Sequence, residues 1–151
     1  MPVNQEQWVV QMIRSIRSQN SYRPIVIRMH PGDSSKRTFE KKIMQLHYPD
    51  VSFSTAENIL TDLKNCWCAV GYNSTPNVVS AIEGIPVYLQ DPGRSWAAAV
   101  AFNDISLINN PPMPDRDDWK HTIANIHWSN DSVRSGELWS NIKKYISSVQ
   151  L

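Results

Sequence analysis

The residues best suited to chemistry lie in two polar turns of this 151-residue chain. The first turn contains His30, Pro31 and Gly32, and the second contains Asn73, Ser74 and Thr75. Ser and Thr directly before a proline are typical of a helix start, whose free N–H groups and dipole favour a phosphate. A histidine held by a neighbouring proline can contact the same ligand. The two turns therefore predict an anion-holding pocket.

Positive side chains and glycines near these turns fit the same interpretation. Arg28, Lys36 and Arg94 are candidates for neutralising a bound anion, although Lys36 can also be an ordinary solvated surface residue. Gly32, Gly71 and Gly93 each follow an apolar run, where a backbone without a side chain lets a ligand come close. A structural interpretation stays open, because turns between strands and helices use glycine and because Ser and Thr cap helices generally.

Several well-known catalytic signatures are absent from the sequence. It contains no G-x-G-x-x-G, G-x-x-x-x-G-K-[ST], G-x-S-x-G or H-E-x-x-H pattern, which argues against four common classes of active site. Cys66 and Cys68 are too close in sequence for a structural disulfide, and no second pair completes a zinc site. We expect two buried, reduced thiols in a cytoplasmic protein. The sequence assigns no metal, no cofactor and no catalytic residue.

Three apolar runs that precede the turns are predicted to be strands buried on both faces. They cover residues 25–29, 66–70 and 85–89, and weaker strands are predicted at 51–53 and 106–108. The predicted helices cover residues 8–16, 37–46, 57–65, 77–83 and 95–102, with two more that start near residues 115–117 and 130–131. This alternation predicts a single α/β domain over residues 1–151 with a mainly parallel sheet.

The first predicted element is a helix, although a complete doubly wound domain normally begins with a strand. The domain is therefore expected to be trimmed or to take its missing strand from elsewhere. No run of about 18 apolar residues is present, so no membrane-spanning helix is expected. The net charge of +1 gives no support for duplex DNA binding, although a local basic patch stays open.

Two segments resemble the GT-B glycosyltransferases, most closely the capsule-polysaccharide, Kdo- and sialic-acid-transferase-like enzymes. Residues 23–33, RPIVIRMHPGD, resemble the P-x-x-x-R-x-H-P strand and turn of that family. Residues 73–87, NSTPNVVSAIEGIPV, are similar to its S-[ST]-x-x-x-E-A-x-x-x-G-x-P-V helix and strand. Residues 91–96 correspond to a loop that closes over the donor, and residues 115–139 are similar to C-terminal helices of bacterial and phage-encoded members.

The resemblance implies a Rossmann-like, three-layer domain equivalent to the donor-binding half of a GT-B enzyme. It implies that His30 and Pro31 contact the phosphate or nucleotide of a nucleotide-sugar. It also implies that Ser74 and Thr75 hold phosphate oxygens through hydroxyl and helix N–H groups. Glu83 is the candidate for the ribose-binding glutamate of many members, although here it lies at the end of its helix.

A GT-B enzyme transfers sugar in a cleft between two domains, and the acceptor-binding half has no counterpart in these 151 residues. The resemblance therefore implies sugar transfer from a nucleotide donor only together with an acceptor-binding domain or partner chain. Two alternatives stay open. One is a non-catalytic, phage-type domain that binds a nucleotide or a protein, and the other is a component of a DNA-base glycosyltransferase.

Overall fold

The protein is a mixed α/β chain in which the strands pair in parallel, described in a computed structural model for residues 4–30, 32–126 and 128–148. The chain divides into two compact units, Met1–Met113 and Pro114–Leu151. The strands and both of the predicted turns belong to the first unit. The single domain expected over all 151 residues stays a prediction.

Four short strands form two parallel pairs in the first unit. They are β1 (Ile25–Ile27), β2 (Val51–Phe53), β3 (Ala69–Gly71) and β4 (Val87–Leu89). β1 pairs with β2, with Ile25 opposite Val51, and β3 pairs with β4, with Ala69 opposite Val87. Phe102 adds an isolated parallel bridge to Tyr88 on β4. The parallel pairing confirms the coarse α/β prediction, in strands shorter than the sequence suggests.

Helices connect the strands in the first unit and make up the second. In the first unit they are α1 (Gln5–Ser18), α2 (Lys36–Met44), α3 (Ile59–Leu63) and α4 (Thr75–Ile82). In the second unit they are α5 (Asp117–Ile126), α6 (Asn130–Arg134) and α7 (Glu137–Ser148). Each strand pair is joined by a crossover helix, α2 for the first and α4 for the second, as parallel pairing requires.

Helix α1 packs against both strand pairs. It starts where the Asn4 side chain accepts a hydrogen bond from the Gln7 N–H at 3.0 Å. On its buried face, Val9 and Ile13 join the core formed with α2 and the first strand pair. Met12 instead joins a second core beside β4. Trp8 contacts both cores, so one amphipathic helix covers both pairs.

Helix α4 ends just before Gly84. This glycine has a φ of +83°, in the left-handed region that favours glycine after a helix. Its N–H reaches the Ala81 carbonyl at 3.2 Å, and the Ile85 N–H reaches the Ser80 carbonyl at 3.0 Å. These bonds stop the helix and turn the chain into β4.

The helix predicted at residues 95–102 is wrong. The chain forms short 3-10 turns at Pro92–Arg94 and Ala98–Val100 instead. Ser95 interrupts the segment because its hydroxyl accepts the Ala97 N–H at 3.3 Å, a local bond that competes with a continuous helix.

The strand predicted at residues 106–108 is also wrong, because the segment lies in a 3-10 helix, Ile105–Asn109. The Asp104 carboxylate accepts bonds from both the N–H and the hydroxyl of Ser106, at 3.0 and 2.7 Å. An aspartate that binds its own backbone two residues on favours a turn over a strand.

The prediction of a single last helix from about residue 130 is wrong as well. The segment is broken between α6 and α7 at Gly136, whose φ is +79°. Val149, which the sequence places on the apolar side of the last predicted helix, lies outside the described residues. Among the described residues, none of the helices has the length and apolar character needed to cross a membrane.

Candidate functional site

The turn between β3 and α4 is built around a contact that only glycine allows. A Cβ added at Gly71 would lie 2.6 Å from Asn77 Cγ and 2.7 Å from Asn77 Oδ1. The Asn77 side chain, in the first turn of α4, is buried and donates through Nδ2 to Ser74 Oγ at 3.3 Å. Gly71 therefore lets the helix start sit directly against the strand end, with Ser74 held in place.

Ser74 and Thr75 lie at an uncapped helix start. Ser74 is the N-cap residue with an extended backbone, but its hydroxyl makes no capping bond to the helix. Pro76 has no N–H of its own, so it leaves one donor fewer to satisfy. Both Ser74 and Thr75 are exposed, and Asn73 is half-buried. Their hydroxyl and N–H groups are accessible to a ligand at the positive end of the helix dipole.

The turn after β4 is fastened to the turn after β3. The Gln90 N–H donates to the Gly71 carbonyl at 3.0 Å, and the Asp91 N–H donates to the Tyr72 carbonyl at 2.9 Å. The loop that follows carries Arg94, whose side chain is 82% exposed and 4.0 Å from the Asp91 carboxylate. So loose and exposed a pair contributes little to stability, which leaves the guanidinium available to an anion.

His30 lies exposed at the carboxyl end of β1. Its Nδ1 accepts the Gly32 N–H at 3.1 Å, which leaves Nε2 as the nitrogen that carries the proton in the neutral ring. Asp33 follows, and hydrogen bonds from the Ser35 hydroxyl and N–H lower the pKa of its carboxyl, with a smaller effect of the His30 charge. Pro31 lies outside the described residues.

Arg28 lies at the end of β1 and is engaged by the loop that follows β2. Its guanidinium donates to the Asp62 carboxylate at 2.6 Å and to the carbonyls of Ala56 and Glu57 at 2.9 and 2.7 Å. The Ser54 hydroxyl donates to the same carboxylate at 2.7 Å. Arg28 and Asp62 each keep 23% of the side chain exposed. These bonds commit Arg28 to holding the loop rather than to a ligand.

The structure brings only some of the predicted residues together. Backbone bonds join the turns that hold Ser74 and Arg94, and His30 ends a strand of the other pair. In the described part of the chain, no hydrogen bond or ion pair links the His30 loop to the turn after β3. Glu83 lies at the far end of α4, about 14 Å from Ser74 at 1.5 Å per helical residue.

Two cavities of the described structure lie away from these turns. One, of about 390 Å³, runs along the exposed side of α1 between Glu6 and Ser15. The other, of about 250 Å³, lies between the end of α2 and β2, beside His47 and Tyr48. Neither cavity is lined by His30, Ser74, Thr75 or Arg94.

Sequence reasoning missed Asn77 and Asp62, which position the candidate site. From the sequence, Asn77 looks like an ordinary helix residue. Its spacing of six residues from Gly71 is the one feature that could have indicated their contact. Asp62 lies 34 residues from Arg28. No sequence spacing indicates that pairing, because it depends on how the loop after β2 folds back.

The two cysteines are free and half-buried. Burial raises the pKa of the Cys68 thiol to about 12, from an ordinary value of 9.0, with a smaller effect of Cys66. Desolvation also raises the pKa of Cys66. A buried thiol with a raised pKa is a poor nucleophile at neutral pH.

The raised pKa of Cys68 predicts a loss of stability at alkaline pH. The unfolded chain releases this proton above pH 9, and the folded chain holds it until about pH 12. The contribution is therefore complete below pH 9 and is lost between pH 9 and 12, by at most about 1.4 kcal/mol per pH unit. Urea unfolding from pH 7 to 10.5 should give a shallower decline for Cys68→Ala than for the wild type. Parallel declines would contradict this.

Among the described residues, no group of three or more His, Cys, Asp or Glu side chains is arranged to hold a metal ion. Comparisons of the chain with protein-family models, with curated proteins and with solved structures found no match. The candidate site is therefore defined by the geometry of the strand ends and by the residues they carry.

Proposed function

We propose that the first unit binds the phosphate of a nucleotide-sugar and serves as the donor half of a GT-B-type glycosyltransferase with a Rossmann-like, three-layer fold. The observation that carries the proposal is the fastened pair of turns after β3 and β4. It holds the uncapped helix start at Ser74 in the same turn region as the exposed Arg94. Neutral donors and a cation around one surface suit a phosphate.

The hydroxyl of Ser74 supports this assignment through its hydrogen-bond pattern. Because Asn77 Nδ2 donates to Ser74 Oγ, the oxygen acts as an acceptor there and its own hydrogen is free to donate. The N–H of Thr75 and its hydroxyl add donors at the same helix end. Such fixed dipoles stabilise charge that develops on a leaving phosphate without a covalent protein nucleophile.

His30 would contact the same donor from the other strand pair. In open α/β sheets, ligands bind outside the carboxyl ends of the strands, where neighbouring crossovers diverge. His30 follows β1 and Ser74 follows β3, with helix α1 packed against both strand pairs. In this proposal Arg28 holds the loop after β2 and does not touch the ligand, and Glu83 lies too far along α4 to share the phosphate.

Sugar transfer in this proposal needs an acceptor-binding domain or partner chain, as it does in the GT-B enzymes that the sequence resembles. Exposed Trp96 lies two residues after Arg94, where an aromatic face can stack on a sugar or base. The two free thiols fit the reducing cytoplasm that we propose as its location.

Calorimetry with UDP-, GDP- and CMP-sugars tests the proposal. At least one donor should bind, and Ser74→Ala or His30→Ala should weaken binding about tenfold, since a hydrogen bond to a charged group contributes ~1.5 kcal/mol or more. His30→Ala should lower stability by less than ~1 kcal/mol, because its side chain is exposed. Ser74→Ala should cost about 1 kcal/mol, because it leaves the buried Asn77 Nδ2 without its acceptor.

Ser52→Ala and His47→Ala are matched controls. Each removes an exposed side chain of the same type, on β2 or just after α2, and should leave donor affinity unchanged. A correctly folded protein that binds none of the three donors would overturn the proposal.

A further inference from the structure

Strand β1 has one edge with unpaired backbone groups. In a parallel ladder, alternate residues bond to the neighbouring strand. Ile25 and Ile27 face β2, through the Ile25 N–H to the Asp50 carbonyl at 2.8 Å and the Ser54 N–H to the Ile27 carbonyl at 2.9 Å. Val26 therefore points its N–H and carbonyl to the other side, where no partner lies among the described residues.

Strand β3 has a matching unpaired edge. Its Ala69 N–H donates to the Pro86 carbonyl at 2.9 Å, and the Gly71 carbonyl accepts the Gln90 N–H at 3.0 Å. Both bonds run toward β4 and the turn beyond it. Val70 therefore points its N–H and carbonyl away from β4, and the described part of the chain offers them no partner either. Val70 is half-buried, where orphan backbone groups are uncommon. Val26 is 54% exposed, so its edge is open to a further strand.

One helix lies across these two edges. Val9 and Ile13 of α1 share a core with Ile25 and Ile27, and Met12 shares a core with Val70. Paired strands lie about 4.8 Å apart, whereas a helix is about 10 Å across. Because no ladder joins β1 to β3 in the described residues, the two strands share a covering helix without being neighbours in a sheet.

The direction of α1 indicates where a missing element would connect. Near its first turn, the Trp8 ring packs edge to face on Tyr72, at 6.2 Å, just after β3 ends. At its last turn, Arg17 donates to the Arg23 and Pro49 carbonyls at 3.0 and 3.3 Å, just before β1 and β2 start. The helix thus runs antiparallel to the strands, as in a βαβ crossover, and begins at their carboxyl ends.

We propose that a further strand, joined to the N-terminal end of α1 in a longer polypeptide, inserts between β1 and β3 and runs parallel to both. It would pair with Val26 on one side and Val70 on the other and give a single sheet in the order β2, β1, new strand, β3, β4. The new strand, α1 and β1 form one right-handed crossover, the hand that such units adopt. Because it lies inside the sheet, the strand is a short apolar run.

The further strand belongs to the sheet and does not depend on nucleotide binding. It is covalently attached, because α1 begins at the edge of the sheet where that strand would end. A separate peptide that adds to the same edges is the competing source, and the experiment distinguishes the two.

The test adds an N-terminal extension to the full chain and follows amide hydrogen exchange by NMR. The extension has five Val and Ile residues and a short Asn-Gly-Ser linker. The control extension is identical except for prolines at its two central positions, which cannot donate to a ladder. In the chain without an extension, the Val26 and Val70 amides should exchange faster than those of Ile27 and Gly71.

With the Val and Ile extension, exchange of both the Val26 and Val70 amides should slow by about 100-fold, in line with pairing inside a stable sheet. The proline control should give no such protection. Equal exchange with the two extensions would overturn the proposal. Protection by the same peptide added separately, but not when it is attached, would overturn attachment to α1.

Discussion

Arg28→Ala is expected to lower the free energy of unfolding by about 2 kcal/mol. The change removes the guanidinium bonds to Asp62 and to the carbonyls of Ala56 and Glu57. It also leaves the Asp62 carboxylate, which is only 23% exposed, without its cation. The effect falls short of that of a fully buried ion pair because water still reaches both side chains.

Urea unfolding of Arg28→Ala, Asp62→Ala and the double variant measures the coupling. We expect the double variant to be less destabilised than the sum of the single variants, because the second change removes a partner that is already unpaired. Arg37→Ala, at an exposed position of α2, is the matched control and should change stability by less than ~0.5 kcal/mol.

The same variants decide between two roles for Arg28. The sequence places it at the end of a strand beside His30 and predicts a contact with an anion. The structure instead gives it a set of bonds to the loop after β2. If Arg28→Ala were as mild as Arg37→Ala in unfolding and removed nucleotide binding, the role predicted from the sequence would be correct.

The contrast between Arg28 and Ser74 shows how much of the candidate site can be predicted from the sequence. Ser74 belongs to a local signal, a capping residue ahead of a proline. The helix starts at Thr75, two residues before the predicted start at Asn77. The fate of the Arg28 guanidinium depends on a loop about 30 residues away. Sequence spacing identifies which residues end the strands, but it does not identify which of them are already neutralised by the fold.

The errors in the fold have the same origin. Apolar runs predict that strands exist near residues 25, 69 and 87. This prediction holds because the apolar side chains of such a run are buried whichever strands lie beside it. Short local bonds decide the segments that the sequence mispredicts, as where Asp104 binds Ser106 and makes a 3-10 turn. The order of the strands depends on which strand edges pair with each other. The apolar content of a strand does not determine that pairing.

Gly71→Ala is expected to lower the free energy of unfolding by about 2 kcal/mol, since adding a methyl group to a packed interior forces its neighbours to move. The new Cβ would lie 2.6 Å from Asn77 Cγ, and that side chain is 4% exposed, so it has little space to retreat. Gly93→Ala is the matched control. Its nearest neighbour would be Asp91 Oδ1 at 3.9 Å, so its stability should change little or rise slightly.

Combining Gly71→Ala with Asn77→Ala also distinguishes two roles of Asn77, its packing against Gly71 and its positioning of Ser74. In an Asn77→Ala background the clash is removed, so Gly71→Ala should cost less than half of what it costs in the wild-type chain. Asn77→Ala also removes the bond to Ser74 Oγ and should weaken nucleotide binding even where the fold is intact. An equal cost of Gly71→Ala in both backgrounds, measured by urea unfolding, would mean that Asn77 is not the obstacle. The tight contact at this strand end would then have no part in holding Ser74.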